Sequence, residues 1–239
     1  MNKLYLTYSF TKNMYKVLTG LLVLLSITFG CNSSGQQDKS FETFNEGVSY
    51  SLDAESAAQE GNPEKAEELH RKAIVKFDET LAADPDHAPA LSAMGHSHFM
   101  LREFDQCLEW YEKALALDSA NVPAHLEYGL CRINLGDIRS GKVAIDKAIA
   151  LDHNSRETVN HAVDNLLDIG TLAFDYGNGY MEEGDSVKGT DYKRFAVGVL
   201  YTAHQTDTTR QEVIRYLVDF SEKTGNEELR AIFSEKLHQ

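Results

Sequence analysis

Residues 86–155 read DHAPALSAMGHSHFMLREFDQCLEWYEKALALDSANVPAHLEYGLCRINLGDIRSGKVAIDKAIALDHNS. Shifted by 34 residues, the stretch lands on itself: Pro89 meets Pro123, Gly95 meets Gly129, Leu101 meets Leu135, Ala114 meets Ala148, and Leu117-Asp118 meets Leu151-Asp152. A fixed period of this length, built from alternating small and bulky apolar residues, is the signature of stacked helix hairpins. Small residues at Gly95, Cys107, Ala114, Gly129, Gly141 and Ala148 let antiparallel helices approach closely, and Tyr111 and Ile145 fill the space between them. The segments Arg102–Asp105 and Gly136–Ile138 are the expected hairpin turns.

Those residues carry a resemblance to the tetratricopeptide repeat (TPR) family. Residues 88–121 give Leu91-x2-Met94-Gly95-x2-His98 and then Cys107-x3-Tyr111-x2-Ala114. Residues 122–155 give His125-x2-Tyr128-Gly129-x2-Arg132 and then Gly141-x3-Ile145-x2-Ala148. The resemblance implies an all-α fold, a right-handed TPR-like superhelix of about four to five antiparallel helix hairpins. It also implies a protein-binding role in which the first helix of each hairpin lines a concave groove. Carried onto this sequence, the lining is Ser92, His96, Phe99 and Met100 in one repeat and Leu126, Leu130, Ile133 and Asn134 in the next. The second set is mostly apolar and suits an amphipathic helix or an apolar partner segment, unless the helical stretch Arg156–Tyr180 or a second copy of the chain covers it. Ser92, His96, Leu126 and Leu130 stand where some TPR domains carry a Lys/Asn clamp for a C-terminal carboxylate, so that ligand class is disfavoured.

Outward from this centre the pattern loosens. Helix one is expected over Phe41–Glu60, capped by Ser40, with Phe41, Phe44, Val48 and Leu52 on one face. Gly61-Asn62-Pro63 breaks it, and a second helix follows to Ala83. The Gly61 turn lies seven residues upstream of where the period places it, so residues 41–87 read as a lengthened repeat. Beyond 155, residues 156–207 read as a degenerate repeat with a loose glycine-rich turn around Gly177, Gly179, Gly184 and Gly189. Residues 208–239 read as a capping hairpin, opened by a capping box at Thr209-x-x-Glu212.

The N-terminus reads as an address. After Lys16, residues 17–29 form an apolar core that ends at Gly30-Cys31, too short to span a bilayer but suited to a signal peptide. Residues 1–30 are therefore expected to be a signal peptide, with Met14 as an alternative start. A small residue directly before the cysteine resembles the bacterial lipoprotein box. It implies acylation at Cys31 and, with Asn32 following, sorting to the outer membrane. The expected location is the cell envelope, lipid-anchored, on the periplasmic face. Residues 31–40 read as lipidated cysteine and flexible tether, and residues 41–239 as the solenoid.

Net charge is −14; the first 30 residues hold three lysines and no acid, which leaves 20 basic against 37 acidic residues and a net of −17 from Cys31 onward. Such a surface repels phosphate backbones, so nucleic acid is disfavoured as a ligand. Cys107 and Cys131 sit at small-residue helix positions and are expected as buried thiols, with pairing open in an oxidising compartment. His98 and His125 fall at aromatic core positions and are expected to pack rather than react. No GxSxG, HExxH, P-loop or dinucleotide-binding glycine string occurs. The expectation is a scaffold or adaptor for envelope proteins, with no enzymatic activity and no cofactor. The alternative is a small-ligand or metal-dependent protein that uses an irregular region at 170–190 around Asp175.

Overall fold

The computed structural model describes residues 34–237, with side chains from 39 onward. Among the described residues all regular structure is α-helical. The chain divides into two compact units with the boundary between Leu117 and Asp118, so the two regular repeats fall in different units.

The first unit holds α1 (Ser34–Gln59), α2 (Pro63–Ala83), α3 (Ala88–Met100) and α4 (Phe104–Leu117). They pack as two hairpins, α1 on α2 and α3 on α4, with α3 also packed on α2 and α1. The Gly61 turn is real: Gly61 takes φ +77, a left-handed conformation that a side chain would strain. Asn62 then accepts from the Lys65 amide, and Pro63 occupies the first turn, where its missing N–H costs nothing. The first hairpin is long, at 26 and 21 residues, against 13 and 14 for α3 and α4. Its extra length has its own small core of Ala54, Ala57, Ala66 and Leu69. Below that, Phe77 packs with Ala73 and Met94, and its ring lies where Gly47 would carry a Cβ.

Two expectations need correction here. The flexible tether expected over 31–40 is helical from Ser34. Ser40 is therefore an interior helical residue, nearly buried, and not a cap; the Thr43 hydroxyl donates to the carbonyls of Lys39 and Ser40. The cause is composition: Gln36, Gln37 and Lys39 are good helix formers, and no proline stops the helix from growing backward. The lipidation site Cys31 and the signal at 1–30 lie outside the described residues.

The second unit holds α5 (Val122–Asn134), α6 (Ile138–Leu151), α7 (Arg156–Glu182), α8 (Ser186–Thr206), α9 (Gln211–Lys223) and α10 (Glu227–Leu237). Three hairpins result: α5 with α6, α7 with α8, and α9 with α10. Asn121, Asp137 and Asp185 each accept the amide three residues on and so start α5, α6 and α8. The small-against-large rule read from the sequence holds in both regular repeats. A Cβ on Gly95 would meet the Tyr111 ring at 2.9 Å. A Cβ on Gly129 would meet the Gly141 carbonyl oxygen at 2.7 Å and Ile145 Cγ1 at 2.8 Å.

The expected irregular region at 170–190 is instead two helices joined by a three-residue turn at 183–185. Its glycines serve close approach: a Cβ on Gly177 would meet the Gly189 carbonyl oxygen at 2.9 Å, and one on Gly189 would meet that of Gly177 at the same distance. The capping box at Thr209 does not form either. The Thr209 hydroxyl and amide both donate to Asp207 Oδ1, and Arg210 stands at the N-cap of α9 with no side-chain bond.

Candidate functional site

The groove positions divide between the units and behave differently in each. In the first unit, α3 leaves Ser92, Phe99 and Met100 half-buried, with Phe99 edge-on to Phe104 at 6.1 Å. These side chains remain reachable from solvent. His96, expected beside them, turns inward: its side chain is 15% exposed and its Nε2 lies 3.6 Å from Glu55 Oε1 of α1.

In the second unit the expected lining is closed. Leu126 is 3% exposed, and Leu130 and Ile133 are fully buried. The structure does bring these three onto one stripe of α5, but α6 and α7 both pack on that helix. Ile133 Cγ1 lies where Gly141 would carry a Cβ, which puts it inside the α5–α6 hairpin. Asn134 spends its amide on the Leu130 carbonyl one turn back. An apolar stripe of this width is worth too much as core to stay open, and the long helix α7 supplies a neighbour for it. The Leu126–Leu130–Ile133 face is thus packing, not an open groove.

Inside the first unit lies a polar cluster that the sequence did not point to. Glu55 is 3% exposed and His70 is 2% exposed, and the rings of His70 and His96 meet edge-to-face at 6.2 Å. Neither ring nitrogen of His70 has a hydrogen-bond partner, and neither do Glu55 Oε1 and Ser51 Oγ. Burial, and then the neighbouring His96, push the His70 imidazole pKa down to about 3. Among the described residues no three His, Cys, Asp or Glu side chains converge in a way that could hold a metal ion.

His98 and His125, expected to pack, both have partners within the first and second units respectively. His98 Nδ1 lies 2.7 Å from Glu103 Oε2, and Glu103 also receives Arg71 at 3.1 Å. Burial works to raise the Glu103 carboxyl, but the bonds from His98 and Arg71 outweigh it and hold it below the usual range. His125 is 7% exposed and pairs with the Ser119 carbonyl at 3.0 Å. Cys107 and Cys131 are fully buried as expected, but neither is a thiol: each is disulfide-bonded.

At the α7–α8 end of the second unit, aromatic side chains stand in the open. Tyr176 is 52% exposed and Tyr192 is 38% exposed, beside Met181 at 39% and Val187 at 71%. Tyr192 lies 6.0 Å from Tyr176 and stacks on Tyr180 at 5.3 Å. The signal was present in the sequence: tyrosines at 176 and 180 share a helix face at i,i+4. The glycines around them masked it by reading as a loop.

Helix hairpins joined by tight turns, with glycine under tyrosine or isoleucine at a 34-residue interval, define a helical-repeat architecture. Residues 88–121 match the tetratricopeptide repeat family. Residues 122–155 follow in the same register, so the centre of the chain carries TPR-like repeats. A curated relative, the CTR9 homolog of Arabidopsis thaliana, is 30% identical over 88 residues, which is 36% of this chain and 8% of that protein. The chain thus spans less than a tenth of that relative's length. Among solved structures, YrrB, a TPR protein with an unusual peptide-binding site, is similar at 14% identity and a TM-score of 0.45, over 85% of this chain and 90% of that one. PilW, a type IV pilus biogenesis factor, is similar at 14% identity and a TM-score of 0.44, over 80% and 76%. MamA is similar at 17% identity and a TM-score of 0.43, over 74% and 91%.

Proposed function

We propose that the protein is a lipid-anchored scaffold of the bacterial cell envelope, which holds partner proteins at a membrane surface. The observation that carries the scaffold reading is the pair of regular hairpins closed by Gly95 on Tyr111 and Gly129 on Ile145. The anchor reading rests on the apolar run at 17–29 and on Gly30-Cys31 behind it. Disulfide-bonded Cys107 and Cys131 fit an oxidising compartment outside the cytoplasm. The partner face on α3 is Ser92, Phe99 and Met100, since the α5 stripe is core. An anchor raises the effective concentration of such a face toward membrane proteins without adding any contact.

Two experiments test this. Cys31→Ser should move the protein from the membrane to the soluble fraction and abolish labelling by a clickable fatty acid. Retention of label or of membrane association overturns the anchor. A photo-crosslinking residue at Phe99 should give discrete adducts in the envelope, and Met100→Asp should remove them at unchanged melting temperature. Adducts that persist in the Met100→Asp protein overturn the α3 face.

A further inference from the structure

We propose that the tyrosine face at the α7–α8 end is a docking site for an arginine-bearing peptide segment of a partner protein. This names a partner chemistry for the scaffold described above and in that sense rests on it. Three observations carry it. First, the rings are presented rather than packed: Tyr176 and Tyr192 are 52% and 38% exposed, and Tyr192 bridges from α8 to both Tyr176 and Tyr180 of α7. A connected aromatic surface with Met181 and Val187 beside it is unusual at the surface of a protein that does not use it.

Second, the rings already accept a cation from the chain itself. Lys188 Nζ stands 5.3 Å from the centre of the Tyr180 ring. The faces of Tyr176 and Tyr192 offer the same negative potential to an external cation. A planar guanidinium suits them better than an ammonium, because it stacks on the ring while its edge N–H groups reach neighbouring carboxylates.

Third, the charge around the rings is complementary. The local cations are engaged: Lys188 with Asp185 at 3.5 Å, Arg194 with Asp191 at 3.0 Å, and Lys193 over Phe174 at 5.3 Å. Asp175, Glu182 and Glu183 flank the rings, are exposed, and take part in no ion pair among the described residues. The same carboxylates argue against an anionic lipid surface as the occupant. A net of −17 from Cys31 onward argues against a second copy of this chain.

The test uses the full chain, purified in detergent, and a fluorescein-labelled 12-residue peptide of alternating glycine and arginine, followed by anisotropy. The arginine peptide should bind, its lysine counterpart more weakly, and its glutamate counterpart not at all. Tyr176→Ala with Tyr192→Ala should weaken the arginine peptide about tenfold or more, whereas Tyr176→Phe with Tyr192→Phe should keep most of the affinity. Glu182→Gln with Glu183→Gln should weaken binding and flatten its salt dependence. Binding that is indifferent to the alanine pair reports general acidity and overturns the proposal. So does the absence of binding. So does a result in which the alanine pair abolishes adsorption to phosphatidylglycerol vesicles, or self-association, and leaves the peptide unaffected. Because the protein is purified, these outcomes are separate from those of the fractionation and crosslinking experiments.

Discussion

At the residue scale, two positions set the tolerance of the structure. Gly129 faces backbone, not a movable side chain: an added Cβ would lie 2.7 Å from the Gly141 carbonyl oxygen. The α5–α6 hairpin must open to admit it. Gly129→Ala should cost about 1–3 kcal/mol, read as a lower urea midpoint at unchanged slope. His70 sets a pH dependence. Its folded pKa, about 3, lies below the ordinary imidazole value of 6.5. Below pH 6.5 the unfolded chain therefore takes up a proton that the folded chain refuses. The stability from a neutral His70 is complete above pH 6.5 and is lost as the pH falls toward 3. The groups facing it are His96 of α3 and, beyond that ring, Glu55 of α1. His70→Leu should flatten the fall in melting temperature between pH 7 and pH 4. A slope as steep as wild type's would remove His70 as its source.

At the element scale, helices with a period were legible and helices without one were not. The turns at Gly61, Arg102 and Gly136 and the extra length of the first hairpin could be read from the 34-residue register. What failed was local chemistry judged without neighbours. Glycine at 177 and 189 reads as a breaker, yet here it is what lets α7 and α8 cross. Thr209 reads as a cap, yet its hydroxyl has Asp207 closer to hand. The groove failed for a related reason. Position within the repeat told which residues share the inner face of α5 and left open whether the helix that begins at Arg156 covers them; the packing of α7 on α5 decides for cover. Leu130→Asp places a carboxylate at a fully buried site and should unfold the second unit, at a cost above about 4 kcal/mol. A cooperative melt near the wild-type temperature for Leu130→Asp would show the stripe to be open after all.

At the scale of the whole molecule, charge is the property the sequence states most directly. Helix hairpins studded with i,i+4 pairs such as Lys72–Glu68, Lys113–Glu109 and Lys142–Asp146 neutralise their own lysines locally. Each such exposed pair adds little to stability. The field outside the protein follows the net charge, −17 from Cys31 onward, and stays negative. Association with basic proteins should be fast at low salt and slow several-fold or more as ionic strength rises from about 0.05 to 0.3 M, as the Debye length shrinks. Stopped-flow association rates against salt would read this out. A rate flat in salt would mean that contact shape, and not the field, governs encounter.

The early start of α1 carries a mechanical consequence. If Cys31 holds the lipid, only three peptide steps separate it from Ser34, which already lies in α1. At about 3.5 Å per step such a leash reaches at most roughly 10 Å. A body so closely moored does not roam a hemisphere above the bilayer in search of a partner. So moored, it would slide with its lipid and meet whatever protrudes about as little from the same leaflet. Lengthening the leash, with a glycine–serine insert after Asn32, should therefore change which proteins it crosslinks to more than how tightly it holds any one of them.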